Sequence, residues 1–298
     1  MATDKDAMFT FRGYGKNFVR VLHVTRTGNI HHVKELEVNT QLSLYSDKDY
    51  THADNSDIIA TDTQKNTVYA LAKQNGITNI EEFAMQLAEH FLRNDSHVKR
   101  SHIYIEQVQW KRMADGKHIH AFVSCPEVTR TCRVIQHKNE KPLVTSGLKG
   151  FKIMKTTKSS FTNFHKDEYR SLPDMEDRIF CTVVDATWTY SSLRSLDFDW
   201  AWNTIKQCVE ETFAGCPKEG SNSPSVQNTL YLTQKQVLAK VPQVDEMTIA
   251  LPNVHAYPFD FSKLPQLNIK ENNEVFVPYD KPSGNITAAL KRRQISKL

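Results

Sequence analysis

The run from Asp54 to Thr67 sets Ile58, Ile59 and Ala60 directly ahead of Thr61, Asp62 and Thr63, so hydroxyls and a carboxylate stand where a helical pattern begins. Any of the three polar residues can cap the stretch running on to Gln74. Free backbone N–H groups and side-chain oxygens would then converge on one spot able to hold a ligand. A capped helix with no ligand is the plain alternative, because caps of this composition open many helices. Other candidate chemistry is thinner. His118-Ile119-His120 would put two imidazoles on one face of a strand and His31-His32 adds more, but no third ligand stands at a recognisable spacing, so no metal site is expected. Gly13-Tyr14-Gly15 lacks the third glycine of a dinucleotide turn, and no phosphate-cradling loop is present, so flavin or nicotinamide use is not expected.

The elements that must position these residues come in a repeated order. Strand patterns over Lys16–Arg26 and His31–Tyr45 flank the turn Thr27-Gly28-Asn29. Helical patterns follow over Thr63–Gln74 and Ile80–Arg93, the second with Phe83, Leu87 and Phe91 on one face. Strands then return over Val98–Met113 and, after Asp115-Gly116, over His118–Ser124. In the second half, strands around Gly150–Thr157 and Ile179–Tyr190 precede helices over Phe198–Phe213 and Ser225–Lys240. Strands over Glu246–Leu251 and Glu274–Val277 close the pattern. The order ββααββ thus occurs twice. It predicts an α+β protein of two modules, residues 1–137 and 138–298, each an antiparallel sheet with its helices on one face. The boundary is expected in the polar stretch Arg133 to Pro142.

Composition narrows the function classes. The 298 residues are 39% hydrophobic and 24% charged with a net charge of +4, as in a soluble globular protein, and the basic residues are scattered apart from Lys291-Arg292-Arg293. Nucleic acid is therefore not an expected partner. No run of about 18 apolar residues exists to span a membrane, and Met1 to Gly15 has no apolar signal core. Five cysteines, with no C-x-x-C pair, read as reduced thiols. Ser296-Lys297-Leu298 at the C-terminus has the form of a peroxisomal address, which predicts import into the peroxisome matrix by a receptor that reads it. That compartment favours oxidation by O2.

The string D-N-S-D-I-I-A-T-D-T-x-K-N-T closely resembles the signature of the urate oxidases, and the similarity extends from Tyr14 to Leu298. The resemblance implies two tandem tunnelling-fold modules per chain and a homotetramer whose sheets close into a barrel around a tunnel. It also implies urate and O2 as substrates and no cofactor. Lys16 in Tyr14-Gly15-Lys16-Asn17, Thr61, and His255 in Asn253-Val254-His255 match the family's catalytic lysine, threonine and histidine. Phe161 falls where the family stacks a phenyl ring on the purine and Arg178 where a guanidinium forks onto it. Val226 and Gln227 fall where a backbone N–H and a side-chain amide read the remaining edge. Asp62 is expected to give its backbone N–H to the purine with its carboxylate as cap, and Thr61 and Asn253 to form the oxygen or water site. The resemblance further implies that Lys16, Thr61, Asp62, Asn253 and His255 face Phe161, Arg178, Val226 and Gln227 across a subunit boundary. One departure stands out: Ala256-Tyr257-Pro258 follows His255 where relatives usually carry a Tyr-Phe pair, so packing or register is expected to differ there. A non-catalytic purine- or pterin-binding protein of the same fold is the alternative reading.

Overall fold

The computed structural model describes residues 7–270 and 273–293, so the terminal Ser296-Lys297-Leu298 lies outside the described residues. The chain forms two compact units, Met1–Gly147 and Leu148–Leu298.

In the first unit β1 (Tyr14–Thr27), β2 (Ile30–Leu44), β3 (Val98–Arg112) and β4 (Phe122–His137) form an antiparallel sheet in chain order. The short α1 (Lys48–Thr51), α2 (Thr61–Asn75) and α3 (Ile80–Asn94) lie between β2 and β3 in sequence. Leu36, Val38, Leu42, Ile103 and Ile105 are buried on the sheet and Phe83, Leu87 and Phe91 on α3, so alternation along the strands and the four-residue step along the helix meet in one core. Each such side chain contributes about 1.5–3 kcal/mol on burial. Asn79 caps α3 by accepting from the Glu82 N–H at 2.8 Å. Glu81, fully buried, is satisfied by Arg130 and by the Ser146 hydroxyl, each at 2.7 Å.

In the second unit β5 (Leu143–Lys155), β6 (Phe180–Tyr190), β7 (Val244–Ala250) and β10 (Thr287–Lys291) follow one another in the sheet. β8 (Asn253–Pro258) pairs with β6 and with β9 (Phe276–Tyr279). Helices α4 (Phe198–Ala214) and α5 (Val226–Lys240) stand between β6 and β7 in sequence. Trp202, Ile205, Val209 and Phe213 of α4 and Leu230 and Val237 of α5 are buried, as are Val184, Trp188, Met247 and Ile249 of β6 and β7. Both units are antiparallel α+β structures in the ββααββ order read from the sequence. Among the described residues no helix is long and apolar enough to cross a membrane.

Four local expectations are corrected. The strand expected at His118–Ser124 begins only at Phe122, so His118 and His120 lie in the preceding turn, where the His118 ring accepts from the N–H groups of His120 and Ala121. That strand also runs on to His137, because Val128, Arg130, Cys132 and Val134 bury alternate positions beneath polar neighbours. The division between units falls inside β5, C-terminal to the polar stretch Arg133–Pro142, which forms the end of β4 and the turn into β5. The last expected strand, Glu274–Val277, is found at Phe276–Tyr279. All five cysteines are free thiols.

Candidate active site

The first unit assembles Lys16, Thr61 and Asp62 around a buried polar network. β1 carries an irregularity in its pairing with β2 between Lys16 and Val19. There the Lys16 N–H donates to the Thr40 hydroxyl at 3.2 Å, that hydroxyl donates to the Gln64 side-chain carbonyl at 2.7 Å, and the Gln64 amide donates to the Ile59 carbonyl at 3.1 Å. Thr40 and Gln64 are fully buried. The Tyr14 hydroxyl accepts from the Ile59 N–H at 3.0 Å, tying β1 to the residues leading into α2 a second time. Gly15 is obligatory, since a Cβ there would sit 1.7 Å from the Thr40 carbonyl oxygen. Lys48 holds the preceding run through Asp54 at 3.3 Å and Asp57 at 3.2 Å.

The start of α2 differs from expectation. Its cap position is Ala60, no side chain caps the helix, and Thr61 is its first residue. The Asp62 carboxylate does not cap; it binds Lys65 and Asn66 on its own helix. The Lys65 bond, with Asn66 and the charge of Lys16, holds that carboxyl below its usual range. An uncapped first turn beside Lys16 leaves N–H groups and the Thr61 hydroxyl for an outside partner.

The second unit assembles the rest by bridges between loops. Ser159 and Ser223, both buried, form a parallel bridge: the Ser160 N–H donates to the Ser223 carbonyl at 3.0 Å and the Ser223 N–H to the Lys158 carbonyl at 2.9 Å. The Ser159 carbonyl accepts from the Arg178 N–H at 2.8 Å, and Phe161 exchanges two backbone bonds with Met175 at 2.7 and 3.0 Å. Two residues beyond Ser223, Ser225 caps α5 by accepting from Asn228, which sets Val226, buried, and Gln227, exposed, in the first turn. Phe161, Arg178 and the start of α5 are thus one backbone assembly.

Above it lies an aromatic and cationic stack that the sequence reading did not single out. Phe164 stacks on Phe161 with centroids 4.6 Å apart and planes 12° from parallel, and the Arg170 guanidinium covers Phe164 at 4.1 Å. The Arg178 guanidinium stands 5.2 Å from the Phe161 centroid. The spacing Phe161-x-x-Phe164 was the available signal. A cavity of about 100 Å³ beside this group is lined by Met175, Arg178, Cys181, Asn253, His255 and Tyr257 among others. Burial, offset in part by Tyr257, pulls Arg178 below its ordinary value, and burial together with Arg178 pulls His255 below 6.5. Asn253 and His255 therefore line one cavity with Arg178 of the same chain. The pairing of Cys181 with Val254 and Thr182 with Asn253 explains this, because Arg178 sits just ahead of β6.

The departure after His255 leaves the strand intact. β8 pairs with β9 in register from His255 opposite Tyr279 to Pro258 opposite Phe276, and the Phe259 N–H continues to Val275 at 3.0 Å. Pro258 falls at the strand's end, where a missing N–H costs little.

Residues 12–135 and 144–287 match the family described as Uricase. The chain belongs to the uricase family. A Uricase of Oryctolagus cuniculus is 45% identical over 303 residues and one of Danio rerio 46% identical over 302, each match covering 100% of both chains. The crystal structure of uricase from Arthrobacter globiformis superposes with a TM-score of 0.88 at 32% identity over 96% of each chain. The uricase family and its urate oxidase members make this chain an oxidoreductase that oxidises urate. Among the described residues no three His, Cys, Asp or Glu side chains are grouped to hold a metal.

Proposed function

We propose that the chain converts urate, O2 and water to 5-hydroxyisourate and hydrogen peroxide without a cofactor, at sites a homotetramer assembles between subunits. One observation carries the reading. Arg178 presents a half-buried guanidinium that no carboxylate pairs among the described residues, beside the Phe161 ring and on the cavity of Asn253 and His255. Urate is a flat anion with carbonyl and N–H groups around its rim, and such a guanidinium offers it a planar, charged fork. Phe161, backed by Phe164, supplies a face for stacking. The Val226 N–H and the Gln227 amide at the start of α5 read a further edge, and the Asp62 N–H on the uncapped turn of α2 contributes another donor.

Proton removal falls to Lys16, Thr61 and His255. Urate gives electrons to O2 one at a time and is rich enough to do so only as a dianion, so a base must act on an anion. Thr61 is too weak to serve alone, and its hydroxyl relays the proton between the substrate and the lysine and histidine. A neutral imidazole, favoured here by burial and by Arg178, can accept one. Asn253 donates to O2, to peroxide or to the water that replaces it. Two electrons leave the ring for O2, water adds to the oxidised carbon, and the peroxide leaves with two protons. Import into the peroxisome matrix through Ser296-Lys297-Leu298 belongs to the same reading, and a fluorescent fusion lacking these three residues should stay outside the organelle.

The test follows urate's ultraviolet band and peroxide together, using protein dialysed against a strong chelator. Equal urate loss and peroxide release support the proposal. Urate binding without turnover would favour the non-catalytic purine-binding alternative.

A further inference from the structure

Tyr257 faces the same side of β8 as His255, since residues two apart share a strand face, while the small Ala256 between them points the other way. Its ring stands beside the imidazole with centroids 5.8 Å apart and planes 19° from parallel. On its other flank Tyr279 of β9 meets it at 5.5 Å and 58°. Tyr257 also lines the cavity with Arg178.

We propose that Tyr257 is a positioning residue for urate oxidation: its ring, braced by Tyr279, fixes the plane of the His255 imidazole at the cavity. This rests on His255 taking part in proton transfer. An imidazole has a soft χ2 torsion, and no hydrogen bond from this ring to another described group holds its plane, so the nearly parallel aromatic ring beside it is the restraint available. On this proposal the same ring adds to the burial of the imidazole, and burial favours its neutral form. The titratable and charged groups facing His255 are Arg178 ahead of β6, Cys181 on β6, Tyr257 on its own strand and Tyr279 on β9. Arg178 is the cation that acts on the imidazole, so losing the ring exposes the imidazole to water without removing that cation.

Steady-state urate turnover as a function of pH, with anaerobic urate titration for binding, tests this on the full chain. Tyr257→Leu should lower kcat by about tenfold while anaerobic affinity stays within about threefold, the cost of a misplaced proton carrier rather than of a lost contact. Its acidic limb should move to higher pH. Tyr257→Phe, which keeps the ring, should restore both kcat and the limb. Tyr279→Leu removes only the brace and should give a smaller shift in the same direction, which keeps the proposal testable if the leucine variant at 257 does not fold. A folded Tyr257→Leu protein with wild-type kcat and limb, or a phenylalanine variant as impaired as the leucine one, overturns the proposal. His255→Gln separates the two levels: if it turns over urate normally the proton-transfer role itself fails, and if it is impaired while Tyr257→Leu is silent only this inference fails.

Discussion

In the N-terminal unit the candidate groups hang on a buried network of side chains, Thr40 to Gln64 to the Ile59 carbonyl, which locks β1 to the start of α2. In the C-terminal unit they hang on backbone bridges between irregular segments, Ser159 with Ser223 and Phe161 with Met175, finished by the stack of Arg170, Phe164 and Phe161 with the Arg178 guanidinium 5.2 Å from the Phe161 centroid. Two units with one element order have solved positioning differently. The relay proposed for Lys16 and Thr61 would need the two at fixed spacing, and a side-chain network within regular elements gives rigidity. A cradle for a flat anion needs a planar face and a fork at its rim, which loops can offer because their backbone is free to turn.

The sharpest way to break the comparison is at the relay. Lys16→Met should lower kcat by about 10²–10⁴-fold, the usual worth of general acid–base catalysis, while anaerobic urate binding persists. Unimpaired turnover would remove Lys16 from the chemistry. On the cradle side, Arg178→Gln should act mainly on binding, cutting kcat/KM by roughly 10–100-fold through loss of a charge-assisted fork, so the two variants should split kcat from KM in opposite senses. If both act alike, the division of labour between the units is wrong.

Smaller effects sharpen it. Gln64→Leu removes the buried bond from the Thr40 hydroxyl and the bond to the Ile59 carbonyl, which should cost about 1–3 kcal/mol in denaturant unfolding and lower kcat as the register of Lys16 loosens. Ser225→Ala, at the cap of α5, should cost about 1 kcal/mol and raise KM with kcat little changed. The least effect is electrostatic. His255 is held below 6.5 when folded, so above 6.5 it is neutral in both states and contributes nothing to pH dependence. As pH falls below 6.5 the unfolded chain takes up its proton first, so stability declines with acid until the folded pKa is passed. His255→Gln should shallow that decline slightly in urea titrations between pH 7 and about 5.

Much of the architecture was legible because periodicity and burial coincide: Phe83, Leu87 and Phe91 on α3 and Trp202, Ile205, Val209 and Phe213 on α4 mark their helices without ambiguity. Strands were harder where buried positions are not apolar. The length of β4 was hidden by Arg130, whose charge is satisfied by a glutamate far away in sequence. The short β8 and β10 offer too few residues for alternation to be read. At the site, Lys16, Thr61, Phe161, Arg178 and His255 could be nominated from motifs. Thr40 and Gln64 could not, because a buried threonine and glutamine gain meaning only from partners that folding brings together. The position of Asn253 and His255 beside Arg178 depended likewise on which strand β8 pairs with, a choice no local pattern records.

Complementation between two impaired chains tests the central claim most directly. Lys16→Met chains, nearly inactive alone, and Arg178→Gln chains, which turn over slowly when urate is far below their raised KM, are unfolded, mixed in equal amounts and refolded together, and turnover is measured at low urate. If each site takes its relay from one subunit and its cradle from another, about a quarter of the sites in a random mixture are intact and that share of wild-type activity returns. If hybrid oligomers form and turnover stays at the level of the separate variants, both halves of the site belong to one chain and the account is wrong.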